Sequence, residues 1–152
     1  MLLSLDLLPL ESSLQYRKGE KSQILVHDPV RKKYVVLTPE ELLRQMVLQY
    51  LLGIKQYPAT RIRSEIGIQV NGMPRRCDIV VFDKALKPWL LVECKSPKVP
   101  LKQEVMEQAA RYNLQLQVPF LMITNGLQSC CAAMDYAEKS FQFLEELPDW
   151  GG

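Results

Sequence analysis

Apolar and polar positions change period several times along the chain, and each change marks an element. Gln23 to His27 and Lys33 to Leu37 are rich in β-favouring residues and flank Asp28-Pro29, a turn pair, so they predict a short hairpin. Leu42, Leu43, Met46, Val47, Tyr50, Leu51 and Ile54 then recur at helical spacing and give one apolar helix face. The start of this helix is well marked. Thr38 suits the N-cap, Pro39 the first helical position, and Glu41 stands three residues after the cap, as in a capping box. The helix should end between Gly53 and Tyr57, ahead of Pro58.

From Arg61 the period drops to two. Ile62, Ile66, Ile68 and Val70 stand among polar residues, and Asn71-Gly72 supplies a hairpin turn before a second strand from Pro74 to Phe82. Trp89 to Cys94 is an apolar run suited to a central strand covered on both faces, which completes a three-stranded meander. Pro97 and Pro100 close it. Leu101 to Gln117 holds many helix formers and no Gly or Pro, which predicts a second long helix. Val118 to Thr124 follows as a buried strand closed by Asn125-Gly126, and Cys130 to Tyr136 with Ser140 to Leu144 form a terminal strand pair. The expected order is helix, three strands, helix, strand, an α/β arrangement with extra β-hairpins at both ends. Residues 1–152 read as a single domain: an arm and hairpin over 1–37, a core over 38–126, and C-terminal strands over 127–152.

With 152 residues, 47% of them hydrophobic, the chain can bury one sizeable core without disulfide or metal staples. Its 19 Lys and Arg against 17 Asp and Glu leave a formal charge of +2, too mild to identify a partner. Any electrostatic argument must be local. The cysteines Cys77, Cys94, Cys130 and Cys131 lack CxxC spacing, and His27 is the sole histidine, which excludes a zinc finger or ribbon. No GxSxG, GxxxxGK[ST] or GxGxxG occurs, so a serine hydrolase, an ATP motor and a dinucleotide enzyme each lack their defining loop. Met1 to Leu10 is leucine-rich, but Asp6 and Pro9 interrupt it and no basic residue precedes it, so a packing arm is expected rather than a signal peptide. No apolar run approaches the ~20 residues of a membrane span. The expectation is a soluble, cytoplasmic protein with reduced cysteines.

The chemistry concentrates where the meander turns. If Ala85-Leu86 is the centre of the turn Asp83 to Pro88, Asp78 falls opposite Glu93, and strand alternation places Glu93 and Lys95 on one face. Opposed like charges destabilise a strand pair unless compensated. Lys95 could neutralise one acid. Two carboxylates and a strand carbonyl are also a natural site for a hard divalent cation such as Mg2+, and that is the favoured reading. Lys95 would then orient or deprotonate a water. The blander readings are an ordinary strand salt bridge and a buried ion network in a structural or oligomerisation domain. Leu90, Leu91 and Val92 make this a core strand, where an ornamental ion pair is out of place.

Asp78 and the run Glu93-Cys94-Lys95, in the setting LLVECKSP, resemble the bipartite motif of the PD-(D/E)xK nuclease superfamily. The chain further resembles the N-terminal nuclease domain of type I restriction enzyme R subunits. That likeness spans about Tyr34 to Gly126 and includes TPEELLRQ, CDIVVFD, and EVMEQAARYN before a strand ending in TNG. The resemblance implies a restriction-endonuclease-like αβββαβ core with a mixed central sheet flanked by helices. It also implies Mg2+-dependent cleavage of DNA, with Mn2+ able to substitute. By motif position Asp78, Glu93 and the Cys94 carbonyl would be metal ligands and Lys95 the catalytic lysine. Cys77 stands where the family name has proline, which is not a ligand. An acid on the first helix completes the metal site in related families, and Glu41 is the choice here, with Glu40 close behind; the capping box is the competing role for Glu41. Gln108 and Tyr112 resemble a QxxxY element and, at i and i+4, share a helix face that can look back at the catalytic strand.

Arg75 and Arg76 before Asp78, with Lys98 and Lys102 after Lys95, could edge one cleft and hold a phosphate backbone. Arg61 and Arg63 read more simply as solvated turn residues. The expected partner is DNA, with a separate motor or specificity subunit, since no motor loop is present; a homodimer would allow both strands to be cut. The alternative function is a catalytically silent nuclease-like fold that binds nucleic acid or a protein.

Overall fold

The computed structural model describes residues 2–70 and 72–151. Met1, Asn71 of the expected turn and Gly152 lie outside the described residues. The chain builds two sheets. A small antiparallel sheet has the order β1 (Tyr16–Lys18), β2 (Ile24–Asp28), β3 (Lys33–Val36). The main sheet has six strands in sequence order: β4 (Ile62–Val70), β5 (Met73–Phe82), β6 (Pro88–Cys94), β7 (Phe120–Thr124), β8 (Ser129–Asp135) and β9 (Ser140–Leu144). All neighbours in it are antiparallel except β6 and β7, which run parallel because α2 (Gln103–Leu114) crosses between them. α1 (Pro39–Gln49) precedes the main sheet, so the order α1, β4, β5, β6, α2, β7 follows the expected helix, three strands, helix, strand.

α1 forms for the reasons its sequence declares. The Thr38 side chain accepts the Glu41 amide at 3.0 Å, and Pro39 occupies the first turn. The regular helix stops at Gln49, and Tyr50–Ile54 continue as a wider π turn. Its apolar side, with Leu43, Met46 and Val47, covers one face of the main sheet over Ile62, Ile79, Val81, Leu90 and Val92. Leu3, Leu7 and Leu14 of the N-terminal arm join that layer, as a packing arm should. The opposite face, with Val80, Leu91, Leu121 and Ile123, packs beneath Leu101 and Met106 of the α2 region. A two-sided sheet of this kind is why β6 reads as an unbroken apolar run. Among the described residues, no helix is long and apolar enough to cross a membrane.

Two local features differ from simple period-two reading. Ile62 faces the α1 layer, whereas Ile66 and Ile68 pack in the α2 layer. Alternation therefore breaks between them, at Glu65, whose φ of 52° is a left-handed conformation that a non-glycine residue adopts at a cost of about 1–3 kcal/mol. The same level of β5 is irregular as well: Ile79 lies in the α1 layer and Cys77 in the α2 layer, and the ladder passes from Ser64–Ile79 to Ile66–Cys77 without pairing Glu65 and Asp78.

The three-stranded sheet is tied to α1 by a buried polar knot. Asp28, fully shielded from water, accepts the Val30 and Arg31 amides, Arg31 Nε at 2.7 Å, Gln45 Nε2 at 3.0 Å and the Ser64 hydroxyl at 3.0 Å. Burial alone would raise the Asp28 pKa, but these hydrogen bonds outweigh it and hold the carboxyl below its ordinary value.

Candidate functional site

β5 and β6 pair in the register Ile79–Val92, Val80–Leu91, Val81–Leu90. One step further brings Asp78 level with Glu93, but the backbone ladder has ended there. β6 leaves β5 at this point and continues beside β7, with Cys94 opposite Thr124 and the Lys95 amide donating to the Thr124 carbonyl at 2.7 Å. The two strands fork, and the Asp78 side chain fills the fork: its Oδ2 accepts the Cys94 amide at 2.8 Å.

The irregularity at Asp78 turns its carboxylate toward α1. There Arg44, almost wholly buried, gathers four acids: Glu41 at 2.9 Å, Glu40 at 2.9 Å, Glu65 at 2.7 Å and Asp78 at 3.0 Å. Burial opposes the Arg44 charge, but the Asp78 hydrogen bond and the charges of Glu41 and Glu65 overcome it, so the guanidinium is held more firmly protonated than usual. The Arg76 hydrogen bond, opposed by partial burial and aided by Arg44, lowers the Glu65 pKa. One oxygen from each of Glu40, Glu65 and Asp78 lies within 4.8 Å of the others, a hard-oxygen set suited to a divalent cation. Glu41 is separate from that set: it is buried against Arg31, Arg44 and Gln45.

Glu93 faces the other layer. Arg75 Nη2 holds it at 2.8 Å, Lys95 Nζ stands 3.6 Å from its second oxygen, and the Arg75 guanidinium lies 5.0 Å over the Tyr112 ring. Tyr112, Arg75, Glu93 and Lys95 thus form one chain of contacts, while Gln108 on the same helix is exposed. Cys94 is packed toward α1, and burial pushes its thiol pKa up. A cavity of about 530 Å³ opens between the start of α1 and the end of β6, lined by Thr38, Pro39, Glu40, Leu43 and residues Cys94 to Pro97, so Glu40 and Lys95 share it.

The structure therefore brings Asp78 together with Glu40 and Glu65, and Glu93 together with Lys95, Arg75 and Tyr112. The two motif acids are level along the fork, each turned to its own cation. Lys98 and Lys102 are exposed beyond β6, Arg76 is engaged by Glu65 and Arg75 by Glu93. Arg44 and Glu65 are site residues that period counting passes over. The signal for Arg44 is a polar pair, Arg44-Gln45, set inside an otherwise apolar helix run; Glu65 has no comparable local signal.

A family model described as type I restriction enzyme R protein N terminus matches residues 39–148, from the start of α1 to beyond β9. Among curated proteins, no sequence matches the chain.

Proposed function

The chain belongs to the type I restriction enzyme R protein N-terminal family, and on that premise we propose that it is a divalent-metal-dependent DNA endonuclease with a restriction-endonuclease-like αβββαβ core. The observation that carries the proposal is the close group Glu40, Glu65 and Asp78, of which Glu40 lines the cavity that Lys95 also lines. These three carboxylates would hold Mg2+ or Mn2+; Glu93 and the Cys94 carbonyl are ligands by motif position, and Glu93, which faces the other layer, would join them only on leaving Arg75. Such an ion supplies countercharge for the phosphodiester in the transition state and acidifies an attacking water. Lys95 would orient the attacking water as a hydrogen-bond donor, and Glu93, 3.6 Å away, keeps the ammonium in place. Tyr112 is proposed to orient this side through Arg75, with Gln108 acting from the exposed surface of the same helix, and DNA is the proposed partner, delivered by a separate motor or specificity subunit. No described surface argues for pairing of two copies.

The test is relaxation of supercoiled plasmid with Mg2+ or Mn2+. Cleavage abolished by EDTA, by Asp78→Asn and by Lys95→Ala is expected; equal cleavage by wild type and both variants would mark a contaminant and remove the claim. The pairing of both motif acids with arginines favours a second reading, a nuclease-like fold that binds DNA without cutting it. Calorimetry with Mn2+ separates the two, because the silent fold takes up no ion through Asp78.

A further inference from the structure

The cations nearest the acidic group are already engaged: Arg44, Arg75 and Arg76 all sit on carboxylates. Among the described residues, a polyanion held at this cleft meets unengaged cations nearby only at Lys98 and Lys102 beyond β6, and a duplex needs further counter-charge along its length. Between residues 15 and 37 the chain carries Arg17, Lys18, Lys21, Arg31, Lys32 and Lys33 against Glu20 and Asp28, and that Asp28 is the buried one already neutralised by Arg31. The small sheet alone therefore contributes more than the whole chain's formal +2. Arg17, Lys18, Lys21, Lys32 and Lys33 are all exposed, and among the described residues none forms an ion pair.

The register fixes which side of the sheet is available. Val26 and Asp28 are buried toward α1, so Leu25 and His27 of β2 face outward with their partners Arg17 on β1 and Tyr34 and Val36 on β3. On that face Arg17 stacks 4.1 Å over the Tyr34 ring, and the His27 and Tyr34 ring centroids are 5.1 Å apart. A guanidinium ordered on an aromatic, ringed by free lysines, is matched to phosphate oxygens and not to an apolar partner. The sheet is also held at a fixed distance from the cleft. The Asp28, Arg31, Glu41 and Gln45 contacts lock it to α1, and Lys33 to Glu40 is at most about 25 Å of extended chain, less than the ~34 Å of one duplex turn.

We propose that the outer face and lysine rim of the β1–β2–β3 sheet bind the phosphate backbone of duplex DNA whose phosphodiester lies in the Glu40–Lys95 cleft. This rests on the endonuclease reading for the identity of the polyanion, and the sheet lies outside residues 39–148, so the family match makes no statement about it. The contacts are to backbone and carry no sequence information.

The experiment measures binding of a fluorescent duplex in EDTA across a salt series, by anisotropy, for wild type and for Lys18→Ser, Lys21→Ser, Lys32→Ser and Lys33→Ser combined. Each lost phosphate contact should flatten the plot of log affinity against log salt by about 0.9. A slope shallower by about 2–4, with affinity down about tenfold or more, is expected. Lys84→Ser, Lys87→Ser and Lys139→Ser combined, at the opposite end of the main sheet, is the control and should keep the wild-type slope. An unchanged slope in the four-lysine variant, with its melting curve intact, overturns the proposal and leaves the cleavage reading standing. Wild type that binds no duplex overturns it too, whatever the plasmid assay gives. Loss of slope in a protein that takes up no Mn2+ keeps this surface and removes the nuclease.

Discussion

Arg44 stands where four negative charges meet, and replacing it by methionine tests whether that cluster is held together by one cation. The side chains around it differ in exposure: Arg44 itself 4%, Glu41 9%, Asp78 19%, Glu65 34% and Glu40 68%. The Glu40 contact is in water and is worth at most about 1 kcal/mol, and the Glu65 contact little more. The Glu41 and Asp78 contacts are shielded. Removing one partner of a buried pair costs about 3–5 kcal/mol, because the other charge is left without compensation. Glu41 keeps Arg31, and Asp78 keeps the Cys94 amide, so the lower end applies, about 3 kcal/mol. For a chain of this length each kcal/mol moves the melting temperature by about 2–4 °C, giving a fall of about 6–12 °C in EDTA. The second half of the test adds Mn2+. With the guanidinium gone, the carboxylates should take the ion in its place, and a site filled at one hundred times its Kd returns about 2.7 kcal/mol. Arg44→Met should therefore gain more from Mn2+ than wild type does, as read by circular dichroism melting. A variant that melts within 2 °C of wild type in EDTA, or gains no more from the ion, would refute the reasoning.

Two further outcomes follow from the contacts described. Asp28 has a folded pKa below its ordinary value, so between the two values the unfolded chain binds the extra proton; its stabilisation is complete above about pH 4 and is lost as pH falls through the folded pKa. Asp28→Asn should flatten the acid limb of stability against pH measured by urea titration, and an unaltered limb would show that this carboxylate does not drive acid unfolding. Arg75 meets the face of the Tyr112 ring and not its hydroxyl, so Tyr112→Phe should leave plasmid cleavage within about twofold. Tyr112→Ala should reduce it by more, and the reverse order of effects would assign the work to the hydroxyl.

Much of the architecture can be read from pattern because each element announces itself by a local rule. Thr38, Pro39 and Glu41 mark a helix start that hydrogen bonds then make, and the turn before Pro88 sets the register that pairs Ile79 with Val92. The three-residue strand β1 is too short and too polar to register as a period. The site is less legible, for a physical reason. Counting by two carries one face along a strand without interruption, and here both β4 and β5 slip at the same level, which sends Asp78 toward Arg44 while Glu93 stays with Arg75. A left-handed residue such as Glu65 leaves no trace in the order of apolar and polar letters. Arg44 does leave one, as a charge inside an apolar helix run, and it becomes readable once buried cations are expected to have acidic partners.

The Asp78 carboxylate at the fork stands in for a missing piece of main chain: with one oxygen it closes the ladder that β5 abandons, and with the other it reaches Arg44. Trimming it to alanine thus unlatches two strands as well as deleting a charge, and a dead protein made that way could owe its silence to a sprung hinge. Asparagine keeps a carbonyl oxygen for the latch, which makes it the substitution that separates carpentry from chemistry.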